Sequence, residues 1–103
     1  MTWREYQEKI IRYDQSPRSL SYYTLGLTGE AGEIAEKVKK ELRSPSIPVT
    51  RQAMQAELGD VLWYLTALAT HFGIKLEDVA IENIKKLEGR RLRGTLQGSG
   101  DER

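Results

Sequence analysis

The sequence predicts an all-α fold of four helices, and three observations carry that prediction. Apolar residues recur at spacings of three and four, with no sustained alternation of period two. The prolines fall in two short stretches, Ser16-Pro17-Arg18-Ser19 and Ser44-Pro45-Ser46-Ile47-Pro48, which interrupt that periodicity. Proline removes a backbone donor and pushes its predecessor out of the helical region, so both stretches read as loops. Hydroxyl residues suited to capping stand ahead of the first three periodic runs: Thr2, Ser19 or Ser21, and Thr50.

The first helix spans about Trp3 to Asp14. Thr2 and Glu5 form a capping-box pattern, and Trp3, Tyr6, Ile10 and Tyr13 mark one face. The second spans about Leu20 to Arg43, with a seam of Leu27, Ala31, Ile34, Ala35, Val38 and Leu42. The third follows Thr50 and continues to about Phe72. Its stripe is Met54, Leu58, Val61, Leu62, Leu65 and Ala69, and Gly73 suits the left-handed position past its end. The fourth spans about Leu76 to Glu88. Glu77 and Asp78 sit where a helix N-terminus favours negative charge, and Leu76, Ala80, Ile84 and Leu87 face inward.

A length of 103 residues allows one domain, taken as residues 1–92, followed by a Gly/Arg-rich tail over 93–103. The tail carries Arg93, Gly94, Gly98, Gly100 and Arg103, and reads either as a disordered terminus or as a cationic arm that closes on an anion. So short a chain buries only about two-thirds of its unfolded surface, which favours a partner copy. Sixteen basic and fifteen acidic residues leave a net charge of +1, too balanced for a dedicated nucleic-acid clamp. The absence of cysteine excludes a disulfide scaffold, a zinc ribbon, an iron–sulfur site and a thiol nucleophile. The N-terminus lacks the apolar stretch of a signal peptide, and no apolar run approaches the roughly 20 residues of a membrane span. A soluble cytoplasmic protein is expected.

The second and third helices carry one pattern twice. Glu30-Ala31-Gly32-Glu33-Ile34 aligns with Glu57-Leu58-Gly59-Asp60-Val61: carboxylate, apolar, glycine, carboxylate, apolar. A seam residue, Leu27 or Met54, precedes each first acid by one helical turn. At about 100° per residue, the first acid of each pair lies roughly 80° from its seam and the second roughly 140°. Antiparallel pairing of the two helices brings both flanks to a common groove. An acidic pair at this spacing is ordinarily a solvated face; two with the same glycine and the same offset are harder to assign to chance.

Gly26, Gly29, Gly32 and Gly59 add to this, since each interior glycine costs a helix about 1 kcal/mol relative to alanine. Close approach of another backbone or of a bulky ligand would account for them, as would ordinary packing. Converging carboxylates repel unless lysine, arginine or a divalent cation lies between them. With no histidine or cysteine in the group, the donor set suits Mg²⁺ or Mn²⁺ best. On the fourth helix Asn83, Lys86 and Arg90 share a face if that helix continues through Gly89, a placement suited to a polyphosphate. Lys85 and Arg91 fall on neighbouring, solvated faces.

Together Glu30-x-x-Glu33, Glu57-x-x-Asp60, Asn83-x-x-Lys86 and Arg90 resemble the MazG-like, all-α nucleoside triphosphate pyrophosphohydrolases, over roughly residues 20 to 92. Gly29-Glu30-Ala31-Gly32-Glu33 and Glu57-Leu58-Gly59-Asp60-Val61-Leu62-Trp63 carry the same likeness, and the tail from Arg93 to Asp101 looks like the end of one compact subgroup. The resemblance implies a four-helix bundle-like fold assembled as a homodimer or a dimer of dimers. It implies Mg²⁺-dependent cleavage between the α and β phosphates, giving a nucleoside monophosphate and pyrophosphate. It also implies that Glu30, Glu33, Glu57 and Asp60 hold the metal, while Asn83, Lys86 and Arg90 contact the phosphates. The short Pro45–Pro48 linker is that of compact, single-domain members.

Such a site needs no covalent nucleophile: a water attacks phosphorus in line, oriented by Glu30 or Glu33, while Lys86 and Arg90 offset charge on the leaving group. His71, among apolar residues near a helix end, is expected to be structural. Trp3, Tyr22, Tyr23, Trp63 and Tyr64 suit a core or subunit interface more than a base-stacking role. Trp63, opposite its helix's seam, points towards another protomer. The competing reading is a non-catalytic helical oligomerisation module whose acids pair with arginines.

Overall fold

The computed structural model describes residues 1–14, 18–94 and 100. These contain four helices and no strand: α1 (Trp3–Tyr13), α2 (Leu20–Arg43), α3 (Arg51–His71) and α4 (Leu76–Arg93). The loop expected at Pro17 and most of the expected tail lie outside the described residues.

Local signals set most of the boundaries. Thr2 and Glu5 close a reciprocal capping box, with hydrogen bonds of 3.1 and 3.2 Å. Between the two candidate serines it is Ser19 whose hydroxyl accepts from the Tyr22 N–H, at 3.2 Å. Thr50 does the same for Ala53 at 3.0 Å. Gly73 ends α3 with φ +68. Its N–H donates to the Thr70 carbonyl and that of Ile74 to the Ala69 carbonyl, both at 2.9 Å, satisfying the helix's last acceptors.

The fourth helix runs further than its predicted end at Glu88. Gly89 lies inside it, and termination comes at Gly94, which adopts the left-handed conformation at φ +72. A penalty of about 1 kcal/mol at one glycine does not outweigh continued helical hydrogen bonding. At its other end, Lys75 supplies no side-chain cap. The cap comes from α1: Gln7 Oε1 accepts from the Leu76 N–H at 2.9 Å, while Gln7 Nε2 donates to Thr70 Oγ1 and to the Ile74 carbonyl, each at 2.9 Å.

α2 and α3 form an antiparallel hairpin, in which Gly26 faces Tyr64 and Lys37 faces Glu57. Glu41 steadies the linker by accepting from the Val49 N–H at 3.1 Å. α1 and α4 pack on α3 and on one another, and α4 does not reach α2. Apart from Arg90 near the end of α4, the buried residues, Ile10, Tyr23, Thr66, Ala67, Ala69 and Leu76, gather at the open end of the hairpin.

Away from that end the predicted inward faces are open. Leu42 is 77%, Leu58 54% and Ile84 53% exposed, and Ala31, Ala35, Val38 and Ala80 are exposed as well. On α2 the spacing predicted a core face that α3 does not cover: α3 meets the flank of Gly26, Glu30 and Lys37 instead, and α4 does not reach α2. The radius of gyration, 16.6 Å, exceeds the roughly 13 Å of a compact domain of this length. No helix among the described residues is long and apolar enough to cross a membrane.

Candidate metal centre

The hairpin register sets Glu30 on α2 beside Glu57 and Asp60 on α3. One carboxylate oxygen from each lies within 4.8 Å of the others. Glu30 and Glu57 are half-buried and Asp60 is exposed. Partial burial raises the proton affinity of Glu30, and the charges of Asp60, Glu57 and Glu33 raise it further. The positive charge paired with the trio is Lys37, whose Nζ lies 3.5 Å from Glu57 Oε1.

The donor set fits a hard divalent cation. It is all oxygen, half-sheltered, and carries three formal negative charges against one lysine. Oxygens on a shared Mg²⁺ stand at most about 4.2 Å apart. At least two of the three pairs must be cis on an octahedral ion, about 3.0 Å apart, so the oxygens would close by up to about 2 Å, a movement within reach of carboxylate side-chain torsions.

Tyr64 borders this group one turn beyond Asp60. Its ring lies where a Cβ at Gly26 would be, so that glycine is required by close approach. A hydrogen bond with Tyr22 holds the Tyr64 phenol above its ordinary range, with partial burial and the nearby Glu30 and Asp60 adding to the shift. Tyr6 on α1 is likewise raised, first by burial and then by Asp60. Gly29, Gly32 and Gly59 have nothing within 4 Å of the Cβ position. Within the chain, the close approach expected at the helix glycines occurs at Gly26.

The remaining predicted site residues lie outside the trio. Glu33 is exposed and stands apart from the 4.8 Å group, although its charge acts on Glu30. Asn83 and Lys86 border one shallow hollow on α4, and both are exposed. Arg90 is buried, and its Nη2 donates to the Gly100 carbonyl at 3.2 Å. α4, which carries these three, packs on α3, the helix of Glu57 and Asp60, and does not reach α2, the helix of Glu30. Lys85 pairs with Glu82 at 3.4 Å in solvent, as a neighbouring-face residue should.

His71, expected to be structural, is exposed and lies edge-on to Tyr23 and Phe72, with centroids 6.2 and 5.4 Å away. One residue was overlooked from the sequence. Gln7 had no sequence signal, since its partners lie more than sixty positions away in the chain; only a helix start without a capping side chain at Lys75 hinted at a remote donor or acceptor.

Fold and site together describe an all-α chain with a carboxylate trio across a helical hairpin, a donor set that suits a hard cation. The family model for the MazG nucleotide pyrophosphohydrolase domain matches residues 15–93, and the chain belongs to that family. It is also 52% identical, over 91 residues, to the Gene 37 protein of Mycobacterium phage L5, covering 85% of this chain and 80% of that one. No solved structure matches the chain.

Proposed function

We propose that this protein is a Mg²⁺-dependent nucleoside triphosphate pyrophosphohydrolase that converts an NTP or dNTP and water to the monophosphate and pyrophosphate. The carrying observation is the convergence of Glu30, Glu57 and Asp60 within 4.8 Å in a hairpin of the MazG family. Mn²⁺ suits the same donors, and Glu33 is the fourth acid of the proposed set. When bound, the cation supplies charge neutralisation for the triphosphate and polarises the phosphate it holds. Lys37 fixes Glu57 in place, so one of the three ligands is oriented before substrate arrives. Glu30 or Glu33 is the proposed orienting group for the attacking water. Asn83, Lys86 and Arg90 are the proposed phosphate contacts, and the activity suits housecleaning of a cytoplasmic nucleotide pool.

Assembly as a homodimer or homotetramer belongs to the same reading. It is supported by the uncovered faces around Leu42, Leu58 and Ile84, which a second copy would shield. Those faces also favour the alternative of a non-catalytic oligomerisation module. A panel of canonical and modified nucleotides, incubated with Mg²⁺ or EDTA and assayed for pyrophosphate, separates the two. Pyrophosphate release that depends on metal is expected. No release from any nucleotide at high protein concentration overturns the enzymatic reading.

A further inference from the structure

On α3, Asp60, Tyr64, Ala67 and His71 follow at spacings of four, three and four; on α2, Tyr23, Gly26 and Glu30 follow at three and four. Each set lies along one face of its helix. The antiparallel register sets Glu30 near Asp60 and Gly26 against Tyr64, and Tyr23 and Ala67 line the same cavity. Along one α2–α3 seam there thus follow the carboxylates, Tyr64 against Gly26, and, at the open end, a cavity of about 190 Å³ that α1 also lines.

The cavity has the makings of a recognition pocket. Its floor is Ile10, Tyr23 and Ala67, all buried, and its rim carries Asp14, Arg18 and His71. Its volume equals about six waters at roughly 30 Å³ each, which is the bulk of one heterocyclic ring system. Apolar and aromatic walls with a few polar groups at the edge suit a flat ring bearing polar substituents. Tyr23 precedes Glu30, and Asp60 precedes Ala67, by two helical turns, about 10.5 Å along the axis. That is the scale on which a base is separated from the phosphates of its own nucleotide.

We propose that this cavity receives the nucleobase of the substrate whose phosphates are served by the carboxylate trio, with Tyr64 spanning the two. The inference rests on the pyrophosphohydrolase reading and adds where the base binds. His71, on this account, is a base-contacting residue at the rim. Arg18, whose guanidinium stacks over the Tyr22 ring at 5.3 Å, is a second.

Titration of the full chain with nucleoside monophosphates, followed by NMR of the His71 and Tyr23 rings, tests the pocket without reference to turnover. Shifts at both rings with a monophosphate and not with ribose 5-phosphate are expected; their absence overturns the proposal. In kinetics, Ala67→Leu fills the floor and His71→Ala strips the rim, the latter at an exposed site that cannot disrupt the core. Both should raise KM for the preferred triphosphate about tenfold while Mg²⁺-dependent binding of inorganic tripolyphosphate stays unchanged. Equal effects on the two ligands, or none on the nucleotide, refute the assignment. A chain that shows the ring shifts but releases no pyrophosphate would retain the pocket and lose the reaction.

Discussion

At the open end of the α2–α3 hairpin, polar groups find their partners inside the chain. Gln7 reaches Thr70, Ile74 and Leu76, the Thr66 hydroxyl donates to the Leu62 carbonyl at 2.7 Å, and the Tyr23 hydroxyl meets Asp14 and the Arg18 N–H. Midway along the same hairpin, three carboxylates crowd together with one lysine. The first region can be complete as folded, because every partner is covalently part of the molecule. The second carries more negative than positive charge among the described residues, and the proposed cation site rests on that imbalance. The hydrogen bonds of the first region hold the fold, whereas the acids of the second repel one another, and the two should therefore respond to substitution in different ways.

The largest expected effect separates them most clearly. Glu57→Gln should lower turnover by at least about 100-fold, as loss of a metal ligand does, and leave the helical circular dichroism intact. A variant that unfolded instead would place Glu57 in the scaffold. Gln7→Ala is the converse. It should leave Mg²⁺ binding by the trio intact and destabilise the chain by about 2 kcal/mol, read by urea unfolding, since it removes the cap from Leu76 and orphans buried polar groups.

The glycines sharpen the contrast further. Gly26→Ala should destabilise by about 1 to 2 kcal/mol in thermal melts, because the new methyl overlaps the Tyr64 ring by more than helix propensity returns. Gly29→Ala, with open space at the Cβ position, should instead stabilise an isolated chain by up to about 1 kcal/mol. If Gly29→Ala dissociates an oligomer in analytical ultracentrifugation, that glycine serves contact with a second copy.

The smallest effect concerns alkaline pH. Burial first, and the bond to Asp14 next, raise the Tyr23 phenol above its ordinary 10.0. Its folded value then exceeds its unfolded one, so its contribution to stability is full below pH 10 and is lost as pH rises through the folded value. Tyr23→Phe should be about 1 kcal/mol less stable at neutral pH and should show a shallower loss above pH 10, measured by urea unfolding at each pH.

Much of the fold was legible because its determinants are local. Thr2, Ser19, Thr50 and Gly73 act on residues three or four positions away, and all four behave as their neighbours dictate. The acidic repeat was legible for the same reason, since helical periodicity alone sets which acids share a flank. Periodicity fails where the answer depends on how helices cross. Glu33 and Asp60 hold equivalent places in the repeat, yet only Asp60 stands in the trio. Leu42, Leu58 and Ile84 have the spacing of core residues, but no helix of the chain covers them. Gln7 was invisible because a single amide on a polar face carries no pattern, and its meaning comes entirely from residues at the far end of α3 and the start of α4.

That amide also constrains the order of assembly. The α2–α3 hairpin joins neighbours in sequence, so it can zip up early, whereas the Gln7 to Leu76 bond closes a loop of sixty-nine positions and pays its entropy only late. During synthesis the first helix must wait for nearly the whole polypeptide before its glutamine has anything to hold. A shortened gene product begun at residue 15, where the family match starts, would keep Glu30, Glu57 and Asp60 and yet leave the last helix fraying at its beginning.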